Sequence, residues 1–99
     1  MAESISVQEL QNLLKENKDV AVIDVRRKND LEASPQKIGD APWYDPEKID
    51  QWIDGIPKEK RVIVYCVKGG SVSQTIADRL QNNQYNVKYL EGGIKAWKF

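Results

Sequence analysis

The fold of this chain is decided by residues 62–77, VIVYCVKGGSVSQTIA, which contain its single cysteine, Cys66. The apolar, β-branched run before Cys66 predicts a buried strand, because strands covered on both faces carry nearly continuous hydrophobic residues. From about Ser73 the apolar residues recur at spacings of three and four, which predicts a helix with one apolar face. A strand, a glycine-containing loop and a helix in this order place Cys66 at the carboxyl end of a strand, where open α/β sheets bind their ligands.

The loop after Cys66 is predicted to bind an anion. Loop amides between a strand and a helix converge, and the helix N-terminus adds partial positive charge. Lys68 adds a full positive charge, and Gly69 and Gly70 allow a positive φ and a close approach to a bound anion. We therefore expect the pKa of the Cys66 thiol to lie below its free value of roughly 8.5, giving a nucleophilic thiolate. The alternative is that Cys66 is a small hydrophobic residue of the core.

The residue types that are absent narrow the chemistry. The chain contains no histidine, so a cysteine–histidine pair within it is excluded, and the loop itself has to activate Cys66. One cysteine without histidine also argues against a zinc site, and we expect neither a metal nor a cofactor. A single cysteine forms no internal disulfide, which fits a reducing cytoplasm.

Length and composition predict one soluble domain over residues 1–99. Hydrophobic residues at 40% and charged residues at 30% are typical of a globular protein. Fifteen basic and fifteen acidic side chains cancel, so we expect no nucleic-acid partner and no attraction to an anionic membrane. No apolar run approaches the roughly twenty residues that span a bilayer, and residues 1–4, MAES, lack the start of a signal peptide.

Helices and strands alternate along the chain. Besides the strand before Cys66, residues 20–25 and 87–90 form short apolar runs that predict buried strands. Residues 29–45 are expected to be mainly irregular, because proline and glycine interrupt them. The alternation predicts an α/β fold with a mostly parallel sheet covered by helices on both faces.

Helix boundaries are indicated by capping residues. The further helices are predicted to run from a capping box at Ser6 and Glu9 to near Asn17, from Asp45-Pro46 to near Gly55, and as a final turn over residues 94–97.

Charged residues at the end of the strand over residues 20–25 leave two interpretations open. In the first, Asp24 caps the following turn while Arg26 and Arg27 are solvated. In the second, Asp24 and Arg26 orient neighbouring loops and so support the site around Cys66.

Taken in order, these segments resemble the rhodanese (thiosulfate sulfurtransferase) family in its single-domain form, over nearly the whole chain. Residues 24–26, DVR, are similar to the family's Asp-Val-Arg after an early strand. Residues 64–66 and the glycine loop are similar to its active-site strand and loop, and residues 90–97, LEGGIKAW, to its closing motif. Within residues 37–41 only Ile38 and Ala41 match the family's His-Ile-Pro-Gly-Ala. The resemblance implies a three-layer rhodanese-like fold.

The Cys66 loop departs from the family in length and charge. The common loop is Cys-Arg-x-Gly-x-Arg, whereas residues 66–72 are one residue longer and contain no arginine. Longer loops of this kind resemble those of dual-specificity cell-cycle phosphatases and arsenate reductases. Those enzymes clamp their oxyanion with a final arginine, a role that Val72 cannot fill. An arsenate or phosphate enzyme is therefore the weaker alternative.

The resemblance implies a sulfurtransferase that works by double displacement. Cys66 would take a sulfane sulfur from thiosulfate, a persulfide or a polysulfide, and pass it to a thiol, to cyanide or to a protein acceptor. The resulting persulfide would be stabilised by amides of the loop, namely those of Val67, Lys68, Gly69, Gly70, Ser71, Val72 and Ser73. Hydroxyls of the two serines would add donors. Because the loop lacks arginine, we expect low activity with thiosulfate and better turnover with a persulfide or polysulfide. The rival from another class is a non-catalytic rhodanese-like binding module.

Overall fold

The computed structural model of this chain describes residues 2–16 and 19–99. Its strands are β1 (Glu3–Ile5), β2 (Val20–Asp24), β3 (Arg61–Tyr65) and β4 (Val87–Leu90). Every pairing is parallel, and the strands form one sheet in the order β1-β4-β3-β2. The helices are α1 (Val7–Glu16), α2 (Lys28–Ala33), α3 (Ile49–Trp52), α4 (Ser71–Asn82) and α5 (Gly93–Ala96). Short 3₁₀ turns at Pro46–Lys48 and Ile53–Gly55 flank α3.

Both faces of the sheet are covered, which confirms the predicted α/β class. Consecutive residues of β3 alternate between two hydrophobic clusters: Val62 and Val64 belong to one, and Ile63 and Tyr65 to the other. The first cluster includes residues of α3 and α4, and the second includes residues of α1 and α5. This two-sided burial is the reason that β3 has no polar alternation in its sequence.

One predicted helix cap is confirmed, whereas two elements and one helix start differ from the sequence prediction. The capping box is confirmed, since the Glu9 amide donates to Ser6 Oγ at 3.1 Å and the Ser6 amide to Glu9 Oε1 at 3.2 Å. The predicted helix end near Asn17 lies outside the described residues. Strand β1 and helix α2 were not predicted, because a three-residue strand shows no period and α2 buries none of its residues. The helix after Cys66 begins at Ser71, two residues earlier than predicted, because its first two residues are not buried and add nothing to the apolar stripe.

Parallel pairing brings the functional segments to one edge of the sheet. β3 lies between β2 and β4, and Cys66 follows it directly. Asp24, the last residue of β2, lies in register with Tyr65, and the segment after β4 reaches the same edge. Within residues 2–16 and 19–99, no helix has the length and apolar character needed to span a membrane.

Candidate active site

Cys66 lines a cavity of about 260 Å³ at the carboxyl edge of the sheet. The residue is 5% exposed, yet it belongs to neither hydrophobic cluster. Its Sγ lies 3.1 Å from the Oγ of Ser73, which is fully buried in the first turn of α4. A buried thiol beside a cavity and a hydroxyl favours the nucleophile interpretation over that of a core residue.

Two backbone amides of α5 bind the first two carbonyls of the Cys66 loop. The Ile94 amide donates to Cys66 O at 2.9 Å, and the Lys95 amide donates to Val67 O at 3.1 Å. In a trans peptide the C=O and N–H groups point in opposite directions, and the described chain has no cis peptide. The amides of Val67 and Lys68 therefore point away from α5.

The two glycines of the loop have different roles. Gly69 has a φ of +74°, and a Cβ there would lie 2.8 Å from both Gly92 N and Leu90 O, so this position requires glycine. Gly70 has a φ of −87° and open space around a hypothetical Cβ. The predicted positive φ is confirmed for Gly69 and is wrong for Gly70, because only Gly69 packs against the segment after β4.

The backbone amides of residues 67–73 have no hydrogen-bond acceptor among the described residues, whereas most carbonyls of the loop are bound. Gln74 binds two further carbonyls of the loop, through Nε2 to Gly69 O at 3.0 Å and through its own amide to Gly70 O at 3.2 Å. Among the hydrogen bonds of the described residues, none uses an amide of residues 67–73 as donor. The last three of these begin the twelve-residue helix α4, whose N-terminus carries partial positive charge. Unpaired amides and a helix N-terminus beside a thiol form an arrangement that is able to bind an anion.

The Ser73 hydroxyl is able to hydrogen-bond to Cys66 both as a thiol and as a thiolate. Its Oγ lies 3.1 Å from Cys66 Sγ and 3.4 Å from Gly70 O. When Cys66 is a thiol, its S–H donates to Ser73 Oγ, and the hydroxyl proton can point at Gly70 O. When Cys66 is a thiolate, the Ser73 hydroxyl donates to the sulfur instead, and charged hydrogen bonds of this kind are stronger than neutral ones. Ser71 is exposed and lines the cavity.

The cavity contains charges from two segments of the chain. Lys68 and the half-buried Val72 line it as part of the loop and of α4. Arg27, which directly precedes α2, and Asp30, in its first turn, also line the cavity, and neither was predicted as a site residue. The sequence signal for Arg27 was its place directly after the charged residues that end β2.

Asp24 and Arg26 lie beneath this region, each 1% exposed. Arg26 Nε lies 3.0 Å from both carboxylate oxygens of Asp24, and Nη2 donates to Oδ2 at 2.7 Å. Two further N–H groups of the guanidinium donate to protein carbonyls, Nη1 to Ser34 O and Nη2 to Gln36 O, each at 2.8 Å. Asp24 also caps its own turn by accepting from the Arg26 amide at 3.0 Å. The interpretation that Asp24 caps the following turn is thus right. The same interpretation is wrong for Arg26, which is buried, and right for Arg27, which is exposed. Through its bonds to Ser34 O and Gln36 O, the Asp24–Arg26 pair orients the loop after α2.

The pKa values near this pair follow from burial and charge. Burial lowers the pKa of Arg26, but the hydrogen bonds and the charge of Asp24 outweigh it and raise the pKa above its ordinary value. Burial raises the pKa of Tyr65 to about 12. The Tyr65 hydroxyl, kept neutral by this burial, accepts from the Ile38 amide at 3.2 Å and so supports the segment after α2.

A larger cavity of about 420 Å³ lies beside β2 and does not include Cys66. Its walls are mostly aliphatic and aromatic, with Ile38 and Trp97 among them. It contains no nucleophilic side chain of the kind that Cys66 provides, so size by itself does not locate the chemistry.

Comparison with known proteins links the chain to one family. Residues 6–99 match the family model of the rhodanese-like domain. A sulfurtransferase of Allochromatium vinosum is 31% identical over 97 residues, which are 98% of this chain and 89% of that protein. The thiosulfate sulfurtransferase GlpE of Coxiella burnetii is 33% identical over 99 residues, which are 99% of this chain and 89% of that protein.

Solved structures give the same relationship. A rhodanese-like domain protein from Staphylococcus aureus is 28% identical, with a TM-score of 0.83 and coverage of 97% of this chain and 91% of that one. The rhodanese homolog TT1651 from Thermus thermophilus is 34% identical, with a TM-score of 0.75 and coverage of 95% and 99%.

Proposed function

Because this chain belongs to the rhodanese-like domain family, we propose that it is a sulfurtransferase that carries sulfane sulfur as a persulfide on Cys66. Two relatives that match almost their whole length are named as sulfurtransferases. The observation that carries the proposal is the position of Cys66 Sγ beside a cavity, next to Ser73 Oγ and to a run of unpaired amides. We take residues 1–99 to act as one such domain, in the cytoplasm, where a single thiol stays reduced.

The first half of the reaction loads the sulfur. The Cys66 thiolate attacks the outer sulfur of the donor, so that a new S–S bond forms and the donor's own bond to that sulfur breaks. The electron pair leaves with sulfite when the donor is thiosulfate, or with a thiolate when it is an organic persulfide. The Cys66 persulfide anion that results carries one negative charge, which the amides of residues 67–73 would stabilise as an oxyanion hole does.

The second half returns the enzyme to its starting form. A thiolate or cyanide attacks the outer sulfur of the persulfide, and the electron pair of the broken S–S bond returns to Cys66 as thiolate. No base is needed within the chain, because both nucleophiles react as anions. Ser73 would keep its hydrogen bond to the sulfur through both steps, and the Asp24–Arg26 pair would support the surrounding loop.

Donor preference follows from the lack of an arginine fork in the loop. Lys68 is a hydrated point charge, and residues 66–72 contain no guanidinium that could hold a sulfonate by two parallel bonds. We expect faster loading from an organic persulfide or a polysulfide than from thiosulfate. Initial rates with the two donors measure this preference, and faster loading from thiosulfate would contradict it.

Intact mass measurement tests the proposal as a whole. After incubation with a donor, the protein should gain one sulfur atom, lose it to cyanide, and gain none as Cys66→Ser. Lack of any adduct from thiosulfate, a polysulfide and an organic persulfide would contradict the proposal and favour a binding module. Hydrolysis of an aryl phosphate without sulfur uptake would favour the oxyanion enzyme, although Val72 stands against it.

A further inference from the structure

A second cavity, of about 230 Å³, adjoins the one at Cys66. Its walls come from α4 and from the turn at Pro46–Lys48, and it shares Arg27, Ser71 and Val72 with the first cavity. The first cavity, at about 260 Å³, already has room for a compact inorganic donor, since a water molecule occupies about 30 Å³ in the liquid. The second cavity is therefore additional space, with an apolar wall that includes Val72, for the organic part of a larger substrate.

Arg27 is the one charged residue that lines both cavities. Its backbone is fixed on both sides, because the preceding carbonyl accepts from Trp43 Nε1 at 2.7 Å and its own carbonyl accepts from the Leu31 amide at 3.0 Å. The guanidinium of the neighbouring Arg26 binds protein oxygens, whereas the guanidinium of Arg27 makes no hydrogen bond or ion pair with any described residue. An unpaired guanidinium on a fixed backbone, lining the same cavity as Cys66, is able to bind a planar anion.

The balance of charge makes Arg27 decisive for an anionic substrate. Among the described residues, those with charge that line the two cavities are Arg27, Lys68, Asp30 and Glu47, so their two positive and two negative charges cancel. Removing the charge of Arg27 would leave two carboxylates against Lys68 and would turn a neutral site into one that repels anions.

From these observations we infer that Arg27 binds the carboxylate of an organic thiol or persulfide whose sulfur reaches Cys66 and whose body extends over Val72 into the second cavity. This inference rests on the proposed sulfur transfer and names its substrate class. Arg27 thereby supplies, from the segment between β2 and α2, a guanidinium that the Cys66 loop itself lacks. The transfer step is the one given above, with the thiolate of the organic compound as leaving group or as acceptor.

Alkylation of Cys66 tests the electrostatic part without any sulfur transfer. Iodoacetate and iodoacetamide react with the same thiolate and differ in one negative charge, so their rate ratio reports the potential at the sulfur. In Arg27→Gln we expect the ratio of iodoacetate to iodoacetamide rates to fall about fivefold, the effect of one unit charge at contact distance in water. Lys28→Gln is the matched control, since it removes the same charge from an adjacent residue that lines neither cavity. Asp30→Asn should raise the ratio.

Sulfur acceptors test the substrate class. With protein carrying the Cys66 persulfide, the preference for mercaptoacetate, expressed as the ratio of its sulfur-acceptance rate to that of its neutral counterpart mercaptoacetamide, should fall about fivefold in Arg27→Gln, through KM for mercaptoacetate. An unchanged alkylation ratio in Arg27→Gln would overturn the role of Arg27 even if sulfur transfer occurs. A normal drop in that ratio with no loss of acceptor preference would overturn the carboxylate assignment. Failure of every donor to load Cys66 would overturn the proposed function and the substrate class with it.

Discussion

Replacing Gly93 with alanine perturbs the junction that holds the Cys66 loop in place. Gly93 has a φ of +61°, and an added Cβ would lie 2.5 Å from Val67 O and closer still to Cys66 O. These carbonyls accept the amides of Ile94 and Lys95 at 2.9 and 3.1 Å. The contacts are backbone atoms that cannot rotate away, so the loop and α5 have to separate.

The size of the effect can be worked out from two terms. A positive φ costs an alanine about 1 kcal/mol, and weakening two backbone hydrogen bonds costs about 1 kcal/mol each. We expect Gly93→Ala to lower the free energy of unfolding by about 3 kcal/mol. Gly39 is the matched control: it has a φ of +56° but open space around an added Cβ. Gly39→Ala should therefore lose only the first term, about 1 kcal/mol.

Urea denaturation of both variants measures the difference of about 2 kcal/mol. In Gly93→Ala the amides of residues 67–73 shift relative to Cys66, so loading of sulfur on the folded protein should also slow by about tenfold or more, the equivalent of 1.4 kcal/mol or more. Gly39→Ala should load sulfur at the normal rate. Equal losses of stability in the two variants would refute the reasoning, because the contacts with the loop carbonyls would then contribute nothing.

Three further predictions concern single side chains. Arg26→Gln should lower the free energy of unfolding by about 3–5 kcal/mol, because it leaves a buried carboxylate unpaired, whereas Arg79→Gln, at an exposed ion pair, should change it by less than about 1 kcal/mol; equal losses on urea denaturation would contradict this. Ser73→Ala should slow alkylation of the Cys66 thiol by iodoacetamide about tenfold at neutral pH, because the thiolate loses a charged hydrogen bond; an unchanged alkylation rate would contradict it. Burial raises the pKa of Tyr65 to about 12, so the folded protein keeps a proton that the unfolded chain releases near pH 10. The contribution of the neutral Tyr65 to the free energy of unfolding should be fully present below about pH 10. It should fall by on the order of 2 kcal/mol as the pH rises through about 12. Denaturation series at rising pH should show a smaller decline in Tyr65→Phe, and also in Tyr85→Phe, whose pKa burial raises too; a flat profile in the unmodified protein would contradict this.

Local pattern was sufficient for the elements on which the site is built. The apolar run of β3, the capping box at Ser6 and the alternation of β2, β3 and β4 with helices were all predicted, because each depends on residues close together in sequence. The position of Cys66 at the end of β3 followed from that order. The sequence predicted a positive φ for both glycines of the loop, and the structure shows it only at Gly69.

Contacts between distant segments decided the rest. Strand β1 exists because its three residues pair with β4, more than eighty positions away. Arg26 is buried because a carboxylate and two loop carbonyls surround its guanidinium, and no local pattern encodes those carbonyls.

The sequence by itself identified the candidate nucleophile, because it contains one cysteine and places it between an apolar run and a glycine loop. Only the tertiary structure decided what faces that sulfur. Arg27 lies 39 residues before Cys66 along the chain and lines the same cavity because β2 and β3 run parallel and end together. The chemistry of a side chain is fixed by the residue at that position, whereas its neighbours depend on how the whole sheet is assembled.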